Sequence, residues 1–263
     1  MKKLFFFAAV AAALTFAFAC TRTAELQTET WTDQVEVPLG LGFDAAFTYS
    51  ASVEYAVGGV SQAVAEKINA IIVENVFSKD GGSDVPAAGA RSRDQEAESY
   101  KSQAQEILDE MDSDPTEHAW MFNWSSEVEG CFGTEYKGRS LRTYVVSSSH
   151  YMGGAHGMHG ISCYVIEMKS GSLVGEEDLF VQGYERTLAD LLFQHCMDDL
   201  KEEMGDTDPD EIFYAEIAPN GNFSVDEKGV TYYYSPYEIA PYSYGVITIP
   251  VSWEELKPIL RKH

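Results

Sequence analysis

The sequence predicts an α+β protein in which antiparallel sheet is packed with a few amphipathic helices and divided into two subdomains. Segments that read as strands come in runs, as from Ala45 to Val57, which alternates, and from Leu141 to Tyr151. Single long stretches at helical spacing interrupt those runs, with Tyr100, Ala104, Ile107, Leu108 and Met111 on one side. No repeat of fixed period appears, and no low-complexity tract outside the N-terminal apolar run.

The N-terminus reads as a processing signal. Lys2 and Lys3 precede an apolar run from Leu4 to Phe18, too short for a comfortable transmembrane helix. Ala17-Phe18-Ala19 fits signal cleavage, and Cys20 follows at once, so residues 1–19 are expected to be removed and Cys20 to carry a lipid. Ala17 departs from the leucine usual at that place in bacterial lipoprotein signals. Residues 20–30 then form a polar tether. The expected product is an exported, membrane-anchored lipoprotein of the bacterial envelope facing the periplasm, touching the membrane through its lipid alone.

In the first subdomain, residues 31–116, Trp31 to Val37 is a predicted strand. Ala45 to Val57 places Phe47, Tyr49, Ala51, Val53, Tyr55 and Val57 on one face. A helix carries Val60, Val64, Ile68, Ile71, Ile72 and Val76. Ser78 to Ala90 reads as an exposed loop, and a helix covers Arg93 to Met111.

In the second subdomain, residues 117–263, His118 to Trp124 is a predicted strand, with Trp120, Phe122 and Trp124 on one face. Tyr136 to Arg139 makes a turn, and Leu141 to Tyr151 and Ile161 to Met168 are strands joined by a glycine-rich connection. Tyr184, Leu188, Leu191, Leu192, Cys196 and Leu200 stripe a helix. Val230 to Tyr234 and Tyr244 to Ile249 are strands, and Ser252 with Glu255 has capping-box spacing for a last short helix.

A net charge of −24 argues against nucleic acid and anionic lipid headgroups. It favours basic partners or bound cations, and it also serves plain solubility. Of the cysteines beyond Cys20, Cys196 is expected to be buried, and Cys131 and Cys163 lie on predicted strands where a bridge is open to either outcome.

Two stretches could carry function. Between Tyr232 and Tyr244 stand six of the fifteen tyrosines, with Pro236 and Pro241 stiffening the connection. Such a loop suits a recognition surface, since tyrosine offers rigid amphipathic area; the rings equally suit the edge of a core. The other stretch holds His150, His156 and His159, with Glu238 as a carboxylate from elsewhere. These three histidines are a weak alternative metal set, because glycines flank the later two and orient ligands poorly. Asp206, Asp208 and Asp210 alternate like a calcium loop, yet Glu211 and Ile217 stand where glycine and glutamate belong. Ser149 and His150 diverge on a strand, so no nucleophile pair is expected.

The segments Ser148 to Gly157, Lys169 to Phe180 and Tyr233 to Gly245, with Ile249-Pro250 and Leu256, resemble one known extracytoplasmic domain. It is the RsiV/PdaC-like envelope domain, found in a lysozyme-sensing anti-sigma factor and in a peptidoglycan deacetylase. Residues 31–111 are similar, more loosely, to the domain that precedes it there; both are domains of unknown function. Only Met1-Lys2-Lys3 precedes the signal core and no room remains for a deacetylase, so the envelope-facing module alone is expected. The resemblance implies a non-catalytic binding module, without cofactor, for a basic protein such as lysozyme or for an envelope glycan such as peptidoglycan. The expected binding residues are Tyr151, Gly153, Gly154, His156, Tyr237, Glu238, Tyr242 and Tyr244. A metal-dependent peptidoglycan-active enzyme and a purely structural lipoprotein are the alternatives. The geometric expectation is that Tyr233 to Gly245 and Gly153 to His156 lie together.

Overall fold

The computed structural model describes residues 25–77, 82–112, 114–204 and 212–262. Cys20, the signal segment and Asp206 to Asp210 lie outside the described residues. A six-stranded sheet runs in chain order from β1 to β6. Its strands are β1 (Gln27–Pro38), β2 (Ala46–Gly58), β3 (Trp124–Tyr136), β4 (Leu141–Tyr151), β5 (Met158–Glu167) and β6 (Ser172–Leu173). All neighbours are antiparallel except β2 and β3, which are parallel. A parallel pair needs a crossover, and helices α1 (Gln62–Ile72) and α2 (Val85–Glu110) supply it. The sheet is thus continuous across residues 116 and 117.

The crossover helices bury one face of the sheet. Phe47, Tyr49 and Ala51 of β2 pack with Ala97 and Ala104 of α2, while Val53 packs with Ile68 and Ile72 of α1. Close approach of α2 to β1 depends on Gly89, where a Cβ would stand 2.4 Å from the Trp31 ring.

A second layer covers only part of the opposite face. It holds α3 (Glu176–Leu179), α4 (Glu185–Met204) and a three-stranded antiparallel sheet of β7 (Phe223–Val225), β8 (Gly229–Tyr234) and β9 (Ile247–Ser252). Leu141 and Val165 of the large sheet join Leu188, Leu192, Val225, Tyr232 and Ile249 in one core. Polar stitches fix the contact: the Thr134 hydroxyl donates to the Val225 carbonyl at 2.7 Å, and the Val225 amide donates to Thr143 Oγ1 at 3.0 Å. α5 (Trp253–Leu256) closes the chain with the expected capping box of Ser252 and Glu255.

Several local expectations are corrected. Residues 85–90 are helical, because Asp84 caps Ala87 N and Pro86 fits the first helical turn, where no amide is needed. Residues 118–122 belong to a 3-10 segment, Pro115–Phe122, with Phe122 buried but Trp120 58% exposed. The β2 alternation breaks after Val53: Ala56 is buried, Val57 is exposed, and a register shift lies opposite Gln27. There the Asn69 side chain pairs with both backbone groups of Ala56. Tyr242–Tyr244 is 3-10 helix rather than strand, so β9 starts at Ile247. Cys131 and Cys163 both sit opposite Val145, on the two strands flanking β4. Two strand spacings, roughly 9.5 Å, are too far for a disulfide, and none joins them. Burial pushes the Cys163 thiol up to about 12.

Candidate functional site

The glycine connection between β4 and β5 is a tight tip over residues 152–157. Gly153 has φ 81°, and a Cβ there would stand 2.6 Å from the Met121 carbonyl oxygen. Only glycine meets both conditions without strain. The Tyr151 hydroxyl donates to the Gly154 carbonyl at 3.0 Å, closing the tip on itself. His156 is thereby carried out to the surface.

The tyrosine segment arrives from the second layer. Ser235-Pro236-Tyr237-Glu238 is a β-turn closed by the Glu238 amide donating to the Ser235 carbonyl at 3.0 Å. Proline stands at its second position and Tyr237, with φ 69°, at its third. That place normally falls to glycine or asparagine, so the Tyr237 backbone is strained. Glu238 helps hold it: one carboxylate oxygen accepts from the Ser235 amide at 2.8 Å, the other from Asn220 Nδ2 at 2.7 Å. Asn220 and Asn222 continue this network to the open edge of β5, where Asn222 serves the Ile161 carbonyl and the Cys163 amide. Sequence reasoning missed both asparagines, although Asn220-Gly221-Asn222 is a turn signal.

The two loops meet ring to ring. His156 stacks on Tyr242 with centroids 4.1 Å apart and planes at 20°. Tyr237 lies 5.7 Å from Tyr242 and 6.5 Å from His156. His159, from the start of β5, meets Tyr242 edge-on at 5.4 Å. His156 Nδ1 faces the Gly157 carbonyl at 3.0 Å. A carbonyl only accepts, so Nδ1 bears a proton, and in the neutral ring Nε2 accepts from the Tyr237 hydroxyl 3.5 Å away. The Tyr242 hydroxyl lies 3.3 Å from His159 Nδ1. His156, His159 and Tyr237 are exposed, and Tyr242 is half-buried.

The expected residues therefore take different places. Tyr151, Gly153 and Gly154 build the tip, His156, Tyr237 and Tyr242 form the cluster with His159, and Glu238 is committed to the turn beneath. Tyr244 is 37% exposed and makes no ring contact among the described residues. Tyr232 and Tyr234 are fully buried.

The alternative metal set is not assembled. Ser149 pairs with His159 and His150 with Met158, so His150 and His159 project from opposite faces of the sheet. His150 lies on the side of α2, near Glu96, whose carboxyl is raised above the usual range by burial. Among the described residues, no three His, Cys, Asp or Glu side chains converge as a metal site. No helix among them is long and apolar enough to cross a membrane. A surface groove runs elsewhere, between α4 and residues 213–217, and is lined by Asp190, Phe193, Tyr214 and Glu216.

A family profile described as "Protein of unknown function (DUF3298)" matches residues 177–254. The match holds the second layer and the tyrosine segment; the tip with His156 and His159 lies outside it. No curated protein matches the chain. Two crystal structures of DUF3298 family members are similar in fold. One, from Bacteroides fragilis NCTC 9343, has a TM-score of 0.78 at 21% identity, covering 91% of this chain and 95% of that one. The other, from Pseudomonas aeruginosa PAO1, has a TM-score of 0.64 at 18% identity, covering 91% and 96%.

Proposed function

We propose that this chain is a non-catalytic recognition module: an exported envelope lipoprotein held by Cys20, whose ring cluster binds a basic protein of the lysozyme kind. The single observation that carries the reading is the exposed stack of His156 on Tyr242, flanked by Tyr237 and His159. Two loops from different layers are spent on bringing these rings together at the surface, and one of them holds a strained tyrosine to do so. Backbone strain of this kind costs about 1–3 kcal/mol and concentrates at functional sites. Tyrosine faces attract lysine and arginine heads, and a net charge of −24 speeds encounter with a basic partner. The resemblance to the RsiV/PdaC-like domain supports the same class of ligand.

Calorimetric titration of the purified chain with lysozyme, at low and high salt, tests the reading. Binding is expected at micromolar protein, weaker in high salt, and lost in Tyr242→Ala with the fold intact. Absence of heat at low salt would overturn it. Soluble peptidoglycan fragments, run in the same assay, identify a glycan as the ligand if they alone bind. Cys20→Ser is expected to move the protein from the membrane fraction to the soluble one.

A further inference from the structure

We infer that the outer face of the large sheet, from β1 to the first residues of β5, is the other half of the docking surface, and that a basic protein occupies it. This rests on the reading of the ring cluster as a binding site and extends its footprint. Among the described residues, the second layer meets the outer face near Thr134, Leu141, Thr143, Cys163 and Val165 and, through Tyr242, at His159. Beyond that the face is bare among the described residues, whereas the inner face is buried under α1 and α2.

Register shows what the bare face presents. Gln34, Ser50, Glu127, Ser149 and His159 stand in one row across five strands. The next row is Thr32, Ser52, Glu129, Ser147 and Ile161. Neighbours within a row share a face, and almost every one is a hydroxyl, amide or carboxylate. Over the spans of β1 to β5 the one lysine or arginine is Arg142, and it points inward, over the Phe132 ring. The strands thus offer the outer face carboxylates without a cation of their own, which complements lysine and arginine on a partner. The first row also ends in the ring cluster itself, because His159 lies against Tyr242.

Size explains why the two halves belong together. Four strand steps of about 4.8 Å and six residues of about 3.3 Å give a flat area of roughly 400 Å². A stable interface takes about 800 Å² from each partner. The bare face alone falls short of that size, and the ring cluster adjoining it at His159 enlarges the footprint.

The test compares three proteins against lysozyme by calorimetry at low salt: wild type, Tyr242→Ala, and the double variant Glu127→Lys with Glu129→Lys. Both glutamates are exposed, so the double variant is expected to melt like wild type. It should bind on the order of a hundredfold more weakly, as reversal of interfacial charge does. The milder Glu127→Gln with Glu129→Gln should fall in between. If the double variant binds like wild type while Tyr242→Ala does not, the extended footprint is wrong and the ring reading stands. If wild type itself gives no heat, both fail. Loss of peptidoglycan-fragment binding in the double variant, with lysozyme binding unchanged, would assign the face to a glycan and overturn the proposal.

Discussion

Tyr232 and Tyr242 belong to one tyrosine-rich segment and have opposite fates. Tyr232 lies on β8, has no exposed surface, and donates its hydroxyl to Glu176 at 2.9 Å. Tyr242 lies past two prolines, half-buried, with its ring against His156. The difference comes from backbone. β8 pairs on both sides, so alternate residues point into the core, while the turn at Pro236 takes the chain off the sheet and turns its rings outward. One composition therefore serves packing in its first half and display in its second.

Alkali separates the halves most strongly. Burial, foremost, raises the phenols of Tyr49, Tyr144, Tyr184, Tyr232 and Tyr234 well above their ordinary value. For Tyr232 and Tyr184 the Glu176 carboxylate adds to the shift. An acid whose folded pKa is raised lends stability that is whole below the unfolded value, about 10, and is lost as pH rises past it. Cooperative unfolding is expected above about pH 10. Phenolate absorbance of this buried group should rise together with loss of the circular dichroism signal, not before it.

Substitution draws the same line. Tyr232→Ala is expected to cost about 3–5 kcal/mol in chemical denaturation, the range for a large core ring. Tyr242→Ala should cost less than about 1 kcal/mol. Equal losses would mean that the outer rings are core after all. Glu176→Ala comes next, at about 2–4 kcal/mol, because Tyr232, Tyr184 and the Gly221 amide all donate to this carboxylate and would be left without their acceptor. Glu176→Gln keeps one acceptor oxygen and should recover part of that loss.

How much of this was legible in the sequence follows from what each feature depends on. The bounds of β4, Leu141–Tyr151, match the expected strand to the residue, because a run of β-branched and aromatic residues is a local property. The Ser252 and Glu255 capping box was equally local. Residues 85–90 were misread because glycine and alanine there suggest a loop, whereas Gly89 is needed for the approach to Trp31. The neighbourhood of His156 and the tyrosine segment was expected from a resemblance, not from pattern. The role of Glu238 as a turn anchor and the opposite directions of His150 and His159 depend on register and on Asn220, which no single stretch reveals. The parallel pairing of β2 with β3, whose crossover puts α1 and α2 on the inner face, is likewise a property of topology.

The smaller effects concern the loops that hold the rings. Gly153→Ala meets both a positive φ and the Met121 carbonyl and should cost about 1–3 kcal/mol. Gly154→Ala, with φ 92° but nothing within 4 Å, should cost less. Loosening the tip should also weaken the proton contacts between the His156 and Tyr242 rings in NMR spectra.

Tyr237 gives the smallest change in stability and the sharpest contrast. Its φ of 69° suits asparagine better than tyrosine, since the left-handed region penalises most side chains by about 1–2 kcal/mol and asparagine less. The residue is 48% exposed, so little packing is lost on replacement. Tyr237→Asn is therefore expected to melt at or slightly above the wild-type temperature while binding the basic partner more weakly. If it melts well below wild type, the ring is holding the turn, and the strain at this position has no functional reading. If it melts higher and binds as before, the ring is dispensable to the surface, and the site contracts to His156, Tyr242 and His159.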